Sequence, residues 1–321
     1  MLKRWTCLLA LTLITQVASA QSPYPSRPIT FILPFSAGGA TDIVSRALAE
    51  DMSKRLGQPI IVENRPGASG MIGTNAGAKA AADGYTVLLT PTQAILNNQF
   101  LYARLPYDTR KDLAFVTEVC SASVLLVVNP RVPVNSVRAL LDWSARNRTN
   151  LGSWGIGSFG HLASAHLART RKADFTHVAY KGEAPMIQDL VGGQLDMAFI
   201  SAFGAKPFID SGKLRVLAVT SEHRLPVLPN VPTLAEAGLS DPEMQPTGKL
   251  VMMVPAATPA PIVERLEQAA RAAIGTDAMR SRMRGIGLEP IGNSGKQALA
   301  SYEAMYPVQQ RLVQLTGARL D

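Results

Sequence analysis

The sequence predicts an α/β protein of two lobes with a ligand cleft between them. Short β-branched runs alternate with longer amphipathic ones, the rhythm of βαβ units and a mainly parallel sheet. That rhythm breaks after residue 90, resumes at Val124, and is interrupted again by a stretch rich in Pro and turn residues at 221–247. At 321 residues the chain is also long enough for two domains, taking roughly 150 residues for each.

The elements follow in order. Residues 29–35 read as a buried strand, 41–56 as a helix closed by Gly57, and 59–63 as the next strand. A Gly-rich turn at 66–70 leads to an Ala-rich helix through Ala82, then Asp83-Gly84 turns into a strand at 85–90. Beyond the break, strands are expected at 124–128, 175–180, 195–200 and 214–220, with helices at 136–146, 161–172 and 184–191. A strand at 249–254 precedes helices at 261–274, 277–284 and 296–315. The first lobe then comprises 21–123 and 249–321, the second 124–228, with an inter-lobe connection at 229–248. Ligands of open α/β sheets sit at the carboxyl ends of strands, which places the cleft there.

Compartment is read from the first residues. Lys3 and Arg4 precede a mostly apolar run from Cys7 to Val17, and Ala18-Ser19-Ala20 ends in small residues. This is the layout of a secretory signal peptide at 1–20, cleaved after Ala20. The apolar run is too short to span a bilayer. Gln21 follows the cut, so no cysteine is placed to carry a lipid, and a soluble exported chain is expected. Only Cys120 survives signal removal, which excludes an intramolecular disulfide. The formal charge of +8 is spread along the chain without a basic run or interleaved aromatics, which argues against nucleic acid.

Two loops carry candidate chemistry. Phe35-Ser36-Ala37-Gly38-Gly39-Ala40-Thr41-Asp42 follows a strand and opens a helix. Paired glycines allow close approach, and free N–H groups with the helix dipole favour an anion. Ser36 and Thr41 add hydroxyls. The same residues also suit a plain turn with Thr41 as N-cap and Asp42 complementing the dipole. Asp42 would repel a carboxylate, so its expected role is structural or toward an amine.

The second loop is Ser153-Trp154-Gly155-Ile156-Gly157-Ser158-Phe159-Gly160-His161. Residues 155–160 match G-x-G-x-x-G, but the preceding Asn150-Leu151 does not read as a strand core. No acidic residue closes a strand about twenty residues on, so a dinucleotide site is disfavoured. Ser158 lacks the glycine two residues before it that a nucleophile elbow needs. His161 and His166 are five apart, unlike zinc-binding H-E-x-x-H. No cofactor, metal or catalytic pattern emerges, and an enzyme working through Gly155–Gly160 is the weakest reading. Tyr180, Lys181 and Ser201 stand at strand ends as candidate ligand contacts, against a solvated-loop alternative. Gln93 joins them as a candidate for the remote end of a ligand.

Many stretches in this order resemble the extracytoplasmic receptors of tripartite tricarboxylate transporters, also called the Bug family. They include Tyr24-Pro-Ser-Arg-Pro-Ile29, Pro34-Phe-Ser-Ala-Gly-Gly-Ala-Thr-Asp42, Val62-Glu-Asn-Arg-Pro-Gly67, Leu105-Pro-Tyr-Asp108, His177-Val-Ala-Tyr-Lys-Gly182, Leu190-Val-Gly-Gly-Gln-Leu-Asp196 and Pro255-Ala-Ala-Thr-Pro259. The resemblance implies a two-lobed, type II-like periplasmic binding protein. Its loops at 35–42 and 153–161, with Gly157, Ser158 and His161, would hold one carboxylate of a small organic acid, often through water. That acid could be a dicarboxylate, a tricarboxylate, an amino acid or an aromatic acid. Implied partners are one large and one small membrane subunit, driven by an ion gradient, with the receptor itself a monomer. An orphan receptor that senses or scavenges is the alternative. This chain departs from the family in three places. A common Trp is missing around Gln245-Pro-Thr-Gly-Lys249, Ala179 replaces a usual proline, and Trp154 stands where small residues are more usual.

Overall fold

The computed structural model describes residues 24–321 apart from 222, 245–247, 318 and 321. The expected signal peptide with its cleavage after Ala20, and the departure at 245–247, lie outside the described residues. The first sheet-forming stretch runs β1 (Ile29–Leu33), α1 (Ala40–Leu56), β2 (Ile60–Asn64), α2 (Met71–Ala78) and β3 (Thr86–Pro91). A π-helical turn at Gln93–Asn97 continues into α3 (Asn98–Leu101), then α4 (Thr109–Asp112) and β4 (Leu113–Ala122). The chain next builds β5 (Val124–Val128), α5 (Val137–Ser144), β6 (Thr149–Ser153), α6 (Phe159–Arg171), β7 (Phe175–Ala179) and α7 (Glu183–Gly192). It continues through β8 (Met197–Ser201), α8 (Ala202–Asp210) and β9 (Arg215–Val219). The last part is β10 (Lys249–Pro255), α9 (Ala260–Ile274), α10 (Asp277–Gly285), β11 (Leu288–Pro290) and α11 (Gly295–Thr316).

Two sheets result. One has the order β11-β4-β10-β3-β1-β2 and the other β7-β6-β8-β5-β9. The expected mainly parallel sheet is not what forms. Pairs β1–β2, β1–β3, β6–β7 and β6–β8 are parallel, whereas β10 runs antiparallel to β3 and β4, and β5 antiparallel to β8 and β9. β11 also runs antiparallel to β4, and β5 and β10 are the strands by which the chain enters from the other lobe. Only Ser123 separates β4 of one sheet from β5 of the other.

Two strands depart from the expected pattern. β4 is almost wholly buried, yet carries Glu118, which breaks its apolar run. That carboxylate is only 2% exposed. It is neutralised by Lys249 Nζ at 2.9 Å and accepts from Asn293 Nδ2 at 2.7 Å. β6 does include Asn150 and Leu151, contrary to the sequence reading. Its Gly152 is dictated by packing, because a Cβ there would run into Leu195 and Met186.

Each sheet is covered on both faces by helices, as four buried clusters attest. On α1, Val44, Ala47, Leu48 and Met52 recur at helical spacing and face the first sheet. The segment expected as a plain connection at 229–248 carries packing of its own. Leu234, Leu239 and Met244 are buried in the second sheet's core, and Val219 bridges to Thr233. A fifth cluster crosses between the lobes. It joins Leu101 of α3, Leu162 of α6, and Leu312 and Val313 of α11.

Helix α2 is seated against the chain that leaves β1. A Cβ on Gly73 would stand 2.6 Å from Pro34 Cα and 2.7 Å from the Arg65 carbonyl oxygen. Both are backbone atoms and cannot swing aside. Gly73→Ala should therefore destabilise the protein by about 1–3 kcal/mol, read as a lowered urea midpoint. An unchanged midpoint would show that α2 is not so tightly held.

Candidate functional site

A cavity of about 410 Å³ lies where the two sheets' loops meet. That is within the size of small-molecule sites, roughly 300–1,000 Å³. Phe35, Ser36, Gly38, Gly39 and Thr41 line it from the first lobe's loop, and Gln93, Trp154, Phe159 and Ser201 also reach its wall. Four helices begin there: α8, capped by the Ser201 side chain, and the three helices α1, α6 and α7. None of the three has a side-chain cap. Their first N–H groups are left for water or a ligand, with the positive end of each helix dipole behind them.

Asp42 is not part of the wall. It is buried on the far side of the first loop, where its Oδ2 accepts from Gly38 N at 3.1 Å and its Oδ1 from Asn64 Nδ2 at 3.1 Å. Arg46 pairs with it at 3.0 Å. Burial alone would raise this carboxyl, but the bonds from Arg46, Gly38 and Asn64 outweigh it and hold the group below the usual carboxylate range. The contact also consumes the Gly38 N–H, so the donors at this end are those of the uncapped first turn of α1. Asn64 further bonds the Phe35 carbonyl at 3.0 Å, closing the loop from beneath.

The second loop is fixed from behind in the same manner. Ser153 Oγ is 2.6 Å from His177 Nε2, and Gly157 N donates to His161 Nδ1 at 3.0 Å. The two imidazoles stack with centroids 4.3 Å apart. Ser153, Gly157 and His161 thus serve the shape of the loop rather than the cavity surface. Ser158 is fully buried, and its Oγ has no hydrogen-bond partner. Tyr180 is likewise drawn off the wall, because its hydroxyl donates to Asp189 at 2.6 Å. Ser153, His161 and Tyr180 lie where the sequence placed ligand contacts, but their side chains found partners inside the second lobe. Lys181 does line the cavity, at its exposed rim.

Sequence reasoning missed Glu183. As the first residue of α7 it lies on the cavity wall, accepting from Ser201 N and, at 2.9 Å, from Ser201 Oγ. Burial pushes its carboxyl up, while the two bonds from Ser201 pull the other way. Its position directly after Gly182, opening a helix, was the available signal. The apolar wall from Cys120, Ala122, Val124, Leu250 and Leu288 carries no local mark, since it assembles from β4, β5, β10 and β11. Among the described residues no cluster of His, Cys, Asp and Glu could hold a metal, and no helix is long and apolar enough to cross a membrane.

A cleft between two mixed α/β sheets, entered by uncapped helix starts from both lobes, defines a periplasmic binding protein. The chain belongs to the family described as the tripartite tricarboxylate transporter family receptor, whose model matches residues 44–314. It is similar to protein BugT of Bordetella pertussis, with 34% identity over 300 residues covering 92% of this chain and 91% of BugT. Among solved structures it resembles R. palustris Rpa4515 with adipate, at 33% identity and TM-score 0.87 over 92% of this chain and 100% of that one. It also resembles MatC from Rhodopseudomonas palustris with bound malate, at 30% identity and TM-score 0.82 over 90% of this chain and 100% of MatC.

The histidine pair makes this site sensitive to acid. Burial lowers both imidazoles, and mutual repulsion helps take His177 from 6.5 to about 4. The unfolded chain therefore binds the proton first as pH falls. Stability should be full above about pH 6.5, decline toward pH 4, and level off below it. Thermal melts across this range should show that slope, and His177→Gln should flatten it. An equal slope in both proteins would contradict the assignment.

Proposed function

We propose that the chain is a periplasmic receptor that encloses a small organic carboxylate between its lobes and delivers it to a transporter. One large and one small membrane subunit are the partners in this reading, and the receptor acts as a monomer after cleavage behind Ala20. The observation that carries it is the convergence of the uncapped starts of α1 and α6 on one cavity. Backbone N–H groups at a helix start bind an anion without a charged side chain. α7 opens on Glu183, whose carboxyl lies on the cavity wall bonded to Ser201 and disfavours a second anion beside it. That leaves the α1 and α6 ends for the ligand.

The proposed site residues are Phe35, Ser36, Gly39, Thr41 and Gln93 from the first lobe with Ser201 from the second. Adipate and malate in the two structural relatives support a carboxylate. The role is capture rather than catalysis. Ser158 Oγ lacks a base, and His161 Nδ1 is taken by a backbone N–H.

A thermal-shift screen of the mature protein tests this directly. A ligand at one hundred times its Kd adds about 2.7 kcal/mol to the folded state. One class among dicarboxylates, tricarboxylates, amino acids and aromatic acids should raise Tm selectively. Silence across all acids, with a shift from NAD or a nucleotide, would overturn the reading in favour of an enzyme using Gly155–Gly160.

A further inference from the structure

The corner of the cavity where α7 and α8 begin differs in sign from the starts of α1 and α6. Glu183 is the first residue of α7, and Ser201 is the N-cap of α8. Both line the cavity, and so does Gly204 beside them. Ser201 Oγ accepts from Gly204 N at 3.0 Å and donates to Glu183 Oε2 at 2.9 Å. Ser201 N donates to Glu183 Oε1. The carboxylate thus takes the one hydroxyl proton and the one amide proton that Ser201 has to give.

Two neutral donors do not cancel a charge. Among the described residues, no Lys, Arg or His pairs with Glu183, and burial pushes its carboxyl up. The other charged side chains lining the cavity are Lys181 at the exposed rim, Glu243, and Lys249, which Glu118 neutralises at 2.9 Å. An ionised carboxylate has about four acceptor positions, and Ser201 fills two. A partly desolvated carboxylate without a counter-ion is costly, and a cation at the remaining positions removes that cost.

We infer that Glu183 is a specificity-determining residue, the counter-charge for a cationic nitrogen carried by the ligand. The inference rests on the carboxylate reading above and narrows it. With the ligand's carboxylate at the starts of α1 and α6, an ammonium group meets Glu183, and the ligand is an amino acid or another amino-bearing carboxylic acid. A second carboxylate at that corner is repelled by Glu183, and a hydrocarbon end leaves its charge unpaired.

Calorimetric titration of the mature protein separates these cases. The ligands are acids of four to six carbons, each as the monoacid, the diacid, and the α- and ω-amino acids of equal length. The wild-type protein should favour an amino acid over the diacid and the monoacid by about ten-fold or more. Glu183→Gln keeps the length of the side chain but loses the charge, and should abolish that preference while sparing the monoacid. Ser201→Ala removes one bond to Glu183 but leaves its charge, and should keep the preference. If Glu183 only fastens α7 to α8, the two variants will weaken all four ligands alike. That outcome overturns the inference, as does a wild type that prefers the diacid or the monoacid, and the carboxylate reading then stands alone. If no member of any series binds, the carboxylate reading fails with it.

Discussion

The Asp42 carboxylate, sealed beneath the loop that follows β1, accepts from Gly38 N and Asn64 Nδ2 while Arg46 neutralises it. This arrangement shapes one wall of the cleft. Gly38 takes φ +90°, a conformation that favours glycine, and turns its N–H inward to Asp42. The N–H groups at the start of α1 are thereby left at the cavity rather than being capped. A carboxylate that would repel an anionic ligand at the surface instead organises the donors that attract it. Removing the buried Asp42 carboxylate would leave its Gly38 and Asn64 donors unpaired, so the loop and that carboxylate stand together.

The two lobes are coupled by different physics on different sides of the cleft. At the chain crossing, β4 passes into β5 through one residue, so there is little slack. Beside it, apolar packing of α3, α6 and α11 joins the lobes through Leu101, Leu162 and Leu312. At the ligand side the contacts are polar: Trp154 to Gln93, Asn97 to Gly157, and Ser69 to Ile156.

Much of this was legible in the sequence because local chemistry marks it. The β1 loop, the α1 helix with its Gly57 stop, and the alternation of strands and helices are all written in residue type and spacing. What escaped depends on partners far away in the chain. Glu118 disguises β4, and only Lys249 and Asn293, brought from the C-terminal part, make it a strand residue. Gly152 disguises β6 until Leu195 and Met186 show why a side chain is excluded. Ser153, His161 and Tyr180 were reasonable ligand candidates by position. Their side chains are consumed by His177, Gly157 and Asp189, a choice that spacing cannot reveal. The antiparallel strands followed from the lobe crossing, which no single βαβ unit records.

The central claim is that one carboxylate bridges the starts of α1 and α6 between the lobes. Amide hydrogen exchange with and without a saturating acid ligand measures this most directly, because it reads opening segment by segment. The account predicts slowed exchange in 36–41 and 155–160 together, with the helices' outer turns unchanged. Protection confined to one lobe, or absent from both loops while the ligand is bound, would contradict it.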